Sequence, residues 1–254
     1  MAELSRLTWP EARASFDARL VALLPIGSTE PHGPHLPLDV DVTIAVAQAR
    51  AAAEELEQRG VRTLLLPALP YGVTYYTDGF EGRVTLRTGT LWAVLDNIVE
   101  SLEEQGVRRI VFSNGHLEPA HVNVLRGVAL DHAERTAEKA QVLFPDNTRR
   151  RWAETLGEEF RSGDCHAGRY ETSLILAADP ASVRAEAARA LAPVAIDLLA
   201  KMKAGVRSFA QAGARDAYCG DPAAGSAEEG RAHVAALARM IVDSVREAWP
   251  DLFR

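Results

Sequence analysis

Leu20-Val-Ala-Leu-Leu-Pro-Ile26 runs directly into Gly27-Ser-Thr-Glu30-Pro-His32-Gly-Pro-His35-Leu-Pro-Leu-Asp39-Val-Asp41. The first seven residues form a short, continuous apolar run closed by a glycine, which reads as a strand buried on both faces. Residues 41–59 carry apolar side chains at helical spacing, are rich in Ala and Glu, and stop at Gly60. Strand and helix signals then alternate. Residues 61–66 read as a second strand, 90–105 as a helix stopped by Gly106, and 108–113 as a third strand. Residues 119–139 read as a helix with proline at an early position, where its missing N–H costs little. Residues 141–144 read as a fourth, weaker strand. This order argues for a largely parallel sheet with helices on both faces, an α/β fold with right-handed crossovers.

Beyond Pro145 the pattern loosens. Residues 148–160 read as a charged helix, 169–178 as a more apolar one, and 183–206 as an Ala-rich helical region. Residues 226–249 read as a long amphipathic helix, with Ser226 and Glu229 in capping-box spacing. No internal repeat and no low-complexity linker is present. A single domain over residues 1–254 is the simpler reading, and a subdomain over 145–225 stays open.

Composition narrows the function. The chain has 254 residues, 47% apolar and 25% charged, enough for a well-buried core. Acidic residues outnumber basic ones, 35 against 28, for a formal net charge of −7. An acidic chain whose only dense basic cluster is Arg149 to Arg151 suits neither a nucleic acid backbone nor a membrane surface. No apolar stretch has bilayer-spanning length, and the first residues lack a charged-then-apolar leader pattern. Two cysteines, Cys165 and Cys219, are too few for a disulfide framework, so a cytoplasmic location is expected.

Candidate ligands crowd three segments. Two follow predicted strands, where open parallel sheets bind ligands: residues 27–41, and Ser113-Asn-Gly-His116-Leu-Glu118. The third reads Asp164-Cys-His166-Ala-Gly-Arg-Tyr-Glu171-Thr-Ser. Imidazole and carboxylate together suit Zn²⁺ and Mn²⁺. Alternate residues of an extended segment face one way, so Glu30 with His32, and His116 with Glu118, can each face one site. Those two pairs plus one Asp make five ligands, enough for two ions sharing a carboxylate. Each piece alone also has an ordinary reading. A lone Glu-x-His suits a solvated loop, His35 a packed histidine, and Glu171 a helix-face carboxylate. Cys165 suits a small buried residue. Asp39 and Asp41 both suit a helix cap, and local sequence does not separate them. Joint occurrence tips the balance toward a metal site.

Residues 27–41 closely resemble the first signature of the creatininase family of metal-dependent amidohydrolases. Asn114-Gly-His-Leu-Glu118 resembles its second signature, and His166-Ala-Gly-Arg-Tyr-Glu-Thr-Ser173 its third. Tyr71-Gly-Val-Thr74, followed by Gly79-Phe-Glu-Gly82, resembles the substrate-loop region. The segment from Gly220 to Gly230 resembles the late turn into the last helix. The resemblance spans nearly the whole chain in order. It implies a three-layer α/β/α fold, a homo-oligomer (often a hexamer), a small-molecule substrate and two divalent ions per chain, Zn²⁺ and/or Mn²⁺. Carried over by position, Glu30 binds one metal with His116, His32 binds the other with Glu118, and Asp41 bridges both. His166 matches the catalytic histidine. Further roles behind the ligands or against substrate fall to His35, Glu171, Thr74, Arg83, Leu117 and Cys165.

Departures from the family pattern bear on the substrate. Cys165 stands where creatininase has Glu, and Phe80-Glu-Gly-Arg83 replaces Phe-Pro-Gly-Thr. The tryptophans that cover creatinine have no clear equivalent; Trp152 aligns poorly. The expectation is hydrolysis of a non-peptide C–N bond in a small, cyclic amide, with creatinine itself left open. A hydroxide held by the two metals attacks, and His166 carries the proton to the leaving nitrogen. Arg83 offers a fork to a substrate carboxylate or phosphate, or a surface ion pair. Rival readings within the family are a formamide deformylase, a peptidase acting on a precursor peptide, and a ring-opening hydrolase of cyclic ketones. More distant are a non-catalytic, metal-stabilised subunit and a nucleotide-binding module, the last lacking any Gly-rich phosphate loop.

Overall fold

In the computed structural model, which describes every residue except 134 and 137, the chain begins with β1 (Ala2–Glu3), α1 (Trp9–Ser15), β2 (Val21–Ile26), α2 (Val40–Gln58) and β3 (Thr63–Leu65). It continues through α3 (Thr88–Glu104), β4 (Arg109–Asn114), α4 (Pro119–Ala133) and β5 (Gln141–Leu143). Then come α5 (Arg150–Ala153), α6 (Gly157–Ser162), α7 (Arg169–Ala178), α8 (Ala185–Ala190), α9 (Leu198–Lys203), α10 (Phe209–Ala212) and α11 (Ala227–Ala248). The strands form one five-stranded sheet in the order β1-β3-β2-β4-β5, with every pairing parallel.

The strand pleat sorts side chains to two faces. Leu20, Ala22, Leu24 and Ile26 join Ile110 and Phe112 against Leu91 and Leu95 of α3 and Leu125 and Val128 of α4. Val21, Leu23 and Val111 turn the other way, onto Ala49, Ala52 and Leu56 of α2 and Ile241 and Val245 of α11. Two helical layers therefore sandwich the sheet, as the apolar run at 20–26 requires. Beyond α2, a further cluster joins Leu36, Val40 and Ile44 to Phe160, Tyr170, Leu174 and Tyr218. Residues 145–225 thus share a core with α2. No helix among the described residues is long and apolar enough to cross a membrane.

The differences from expectation have local causes. Neither β1 nor α1 was expected. A two-residue strand carries no readable period, but α1 was signalled: Glu11 accepts from both the N–H and the hydroxyl of Thr8 at 2.7 Å. The helix expected over 148–160 divides at Gly157, whose φ is +90°. The region 183–206 divides between α8 and α9, where Val194 pairs with Gly220 and Asp197 adopts φ +52°. The helix expected over 119–139 stops at Ala133; residues 134 and 137 of that span lie outside the described residues.

Candidate metal centre

Past the carboxyl ends of β2 and β4, three segments converge. Glu30 and His32 follow β2, and His116 and Glu118 follow β4. Asp41 stands in the first turn of α2, His166 in the loop before α7, and Glu171 in the first turn of α7. All seven are buried. Gly115 makes this packing possible, because a Cβ there would lie 2.1 Å from the Asp41 carbonyl oxygen. Asp39, by contrast, is exposed, so burial separates the two aspartates that local sequence left equivalent.

The hydrogen bonds set the histidine tautomers. His116 Nε2 lies 2.8 Å from the Val73 carbonyl and donates to it. Its Nδ1 lone pair then faces Asp41 Oδ2 at 2.9 Å and Glu30 Oε1 at 3.3 Å. His32 Nδ1 donates to the Glu30 carbonyl at 3.0 Å. Its Nε2 then faces Asp41 Oδ1 at 3.3 Å, Glu171 Oε2 at 3.5 Å and Glu30 Oε1 at 3.9 Å. Acceptors confront acceptors, and neither His32 Nε2 nor Asp41 Oδ2 has a hydrogen-bond partner. A positive charge between them, a metal cation or a proton on the imidazole, satisfies such a set. The ligand atoms of Glu30, Asp41 and His116 all lie within 4.8 Å of one another, as do those of His32, Asp41 and Glu171. Imidazole nitrogens with carboxylate oxygens, one aspartate shared, fit two borderline divalent ions.

The electrostatics state the same demand. Burial pushes His32 down, but Asp41, Glu171 and Glu30 overcome it and raise the imidazole to about 10. His116 also lies well above its usual value: burial opposes the rise, and Glu30 and Asp41 outweigh it. The pocket wants positive charge. His166 goes the other way, lowered to about 4 by burial and then by His32. Its Nε2 donates to the Pro31 carbonyl at 3.0 Å, leaving Nδ1 4.0 Å from both Glu30 Oε1 and Glu171 Oε2. Phe209 stacks on the ring at 4.1 Å between centroids.

The expected pairing of His32 with Glu118 does not occur. Glu118 accepts from the backbone N–H groups of Tyr75 at 2.6 Å and Tyr76 at 3.1 Å, and joins none of the ligand groups. Burial raises its carboxyl to about 7. The place beside His32 goes to Glu171, whose Oε2 also accepts from Ala167 N–H at 2.6 Å. Ala167 reaches this position at φ +50°, a left-handed conformation unusual for alanine.

The other expected residues scatter. Thr74 donates its hydroxyl to Glu30 Oε2, with Thr77 2.8 Å away. Leu117 and Cys165 line the cavity, and burial holds the Cys165 thiol well above its usual value, far from a nucleophile. His35 contacts Thr172 Oγ1 at 2.9 Å, away from the carboxylates. Arg83 pairs with Asp78 at 2.8 Å and does not line the cavity, the surface ion pair of its two expected readings.

That cavity, of ≈ 300 Å³, opens from the carboxylates past an apolar wall that includes Val122, Leu198, Leu199, Met202 and Phe209. Arg126 and Arg161 also line it, and neither carries a motif that singles it out in the sequence. No tryptophan lines it.

Comparison with known proteins follows this geometry. The family model described as creatininase, creatinine amidohydrolase, matches residues 5–245. The mycofactocin precursor peptide peptidase of Mycobacterium tuberculosis (strain ATCC 25618 / H37Rv) is 36% identical over 233 residues, 88% of this chain and 82% of the relative. The creatinine amidohydrolase of Pseudomonas putida is 29% identical over 202 residues, 70% of this chain and 72% of the relative. Among solved structures, a manganese form of creatininase superposes with a TM-score of 0.71 at 25% identity, covering 98% of this chain and 99% of the other.

Proposed function

Because the chain belongs to the creatininase family of hydrolases, we propose that it holds two divalent cations and hydrolyses an amide C–N bond. Glu30, Asp41 and His116 hold one cation; His32, Asp41 and Glu171 hold the other. The observation that carries this reading is the pair of imidazole lone pairs turned onto buried carboxylates, 2.9 Å apart at His116 and Asp41. Cations at such a site lower the pKa of a water molecule toward neutrality and offset negative charge growing on a carbonyl oxygen.

The chain's own groups handle the protons. His166 is neutral, pinned at Nε2 by Pro31 and held flat by Phe209, so its Nδ1 lone pair accepts a proton and returns it to the leaving nitrogen. Glu118, on the cavity wall with its carboxyl near 7, is a second group able to hold a proton at neutral pH. The long apolar wall receives a side chain rather than a small polar ring. Together with 36% identity to a precursor peptide peptidase against 29% to a creatinine amidohydrolase, this favours a peptide amide over the small, non-peptide cyclic amide expected from sequence.

The test is metal content per chain by elemental analysis, with Asp41→Ala alongside, followed by a panel of short peptides and cyclic amides. About two ions, lost in the variant, with turnover of peptides, is the expected result. No metal after incubation with Zn²⁺ or Mn²⁺ would refute the reading. Turnover of cyclic amides alone would restore the small-molecule substrate. Sedimentation of the same sample tests the further proposal that the chain forms a homo-oligomer.

A further inference from the structure

His121, on α4, is 0% exposed and outside every candidate ligand group, yet both its ring nitrogens are engaged. Its Nδ1 accepts from Val73 N–H at 3.2 Å. That leaves the proton on Nε2, which donates to Asn114 Oδ1 at 3.0 Å. Both partners lead to His116. Val73 turns its carbonyl to His116 Nε2 at 2.8 Å. Asn114 accepts from His116 N–H at 3.2 Å and donates to the His116 carbonyl at 2.6 Å. The two imidazoles meet edge to face, 4.7 Å between centroids. Gly72 permits the approach, since a Cβ there would lie 2.6 Å from His121 Nδ1.

We propose that His121 is a positioning residue that holds His116 from both sides, its ring through Val73 and its backbone through Asn114, so that Nδ1 points at the cation site. The inference rests on the reading of His116 as a metal ligand. A residue that merely filled the core between α4 and the sheet would be apolar, because burying an imidazole is costly unless both nitrogens are satisfied. Here both nitrogens are spent on the two segments that hold one ligand. Partners of this kind set a ligating imidazole's tautomer and direction, and losing them costs about 10–100-fold in metal affinity.

The experiment is competition with a chromophoric chelator for Zn²⁺ on wild type, His121→Leu and His121→Asn. Asparagine keeps an acceptor near the Nδ1 position. The expected result is two tight ions in wild type, one of them weakened about 10–100-fold in His121→Leu, and partial recovery in His121→Asn. Unchanged affinities, or equal weakening of both ions, would overturn the proposal; wild type binding no metal would instead overturn the metal centre itself. A second measurement needs no variant. In ¹⁵N-histidine spectra of wild type loaded with ¹¹³Cd²⁺, His116 Nδ1 should couple to cadmium and His121 should carry its proton on Nε2. A His121 proton on Nδ1, or cadmium coupling to His116 Nε2, refutes the arrangement.

Discussion

Two buried glutamates line the cavity with different surroundings, and substitution separates them. Glu171 Oε2 lies 3.5 Å from His32 Nε2 while accepting from Ala167 N–H, whereas Glu118 Oε2 accepts from two backbone N–H groups and the residue joins no candidate ligand group. Glu171→Gln is expected to release one of the two ions, read by elemental analysis. Glu118→Gln is expected to keep both ions and lower kcat by about 10²–10⁴-fold, the usual worth of a proton-transfer group. His35 gives a pH prediction. Burial, then His32, lowers it to about 4 from the ordinary imidazole value of about 6.5. The folded chain refuses a proton that the unfolded chain accepts, so this residue weakens stability as pH falls through 6.5 toward 4 and costs nothing above that window. His35→Gln keeps a polar group near Thr172, and its denaturation midpoint should fall less steeply than that of wild type between pH 7 and 4.5.

Among the elements, two segments build the cavity without supplying a candidate ligand. Residues 73–77 touch three of the site residues: Val73 receives His116, Thr74 donates to Glu30, and Tyr75 and Tyr76 donate to Glu118. The opposite wall, α9, hangs on Asp164, whose carboxylate accepts from the N–H groups of Ile196 at 2.8 Å, Asp197 at 3.0 Å and Leu198 at 2.8 Å. Asp164→Ala leaves these donors without their acceptor and should cost about 1–3 kcal/mol, measured by denaturant unfolding. Because Leu198, Leu199 and Met202 line the cavity, KM for the best peptide should rise more than kcat falls. The sequence reading placed α7 well and missed the structure around α9. Periodicity reports a buried face, and short helices broken at Gly157 and Asp197 present too few turns to show one.

For the molecule as a whole, the proposed metals would join segments distant in the chain: Glu30 and His32 after β2, His116 after β4, and Glu171 at the start of α7. An unfolded chain does not hold that geometry, so binding stabilises the folded state, by about 2.7 kcal/mol at a hundredfold excess over Kd. Removing the ions with a chelator should lower Tm, by about 2–4 °C per kcal/mol for a chain of this size. Asp41→Ala should make Tm insensitive to chelator; an Asp41→Ala protein that still responds would place the stabilising ion elsewhere.

What the sequence determined by itself was the layered frame and most of the candidate ligands. The continuous apolar run at 20–26 is satisfied inside a covered parallel sheet, and that sheet, with the strand at 108–113 beside it, delivers the segments after β2 and β4 to one edge. Two-residue alternation was right for Glu30 and His32, whose ligand atoms lie 3.9 Å apart on one side of an extended segment. His116 and Glu118, beyond the end of β4 at Asn114, line one cavity, but only His116 joins a candidate ligand group. The tertiary structure puts Glu171 rather than Glu118 in a candidate ligand group, and it buries Asp41, the aspartate the resemblance names, while leaving Asp39 exposed. Each placement depends on which carboxylate is carried, buried, to within reach of His32 and His116, and that is decided by how α2 and α7 pack rather than by local spacing.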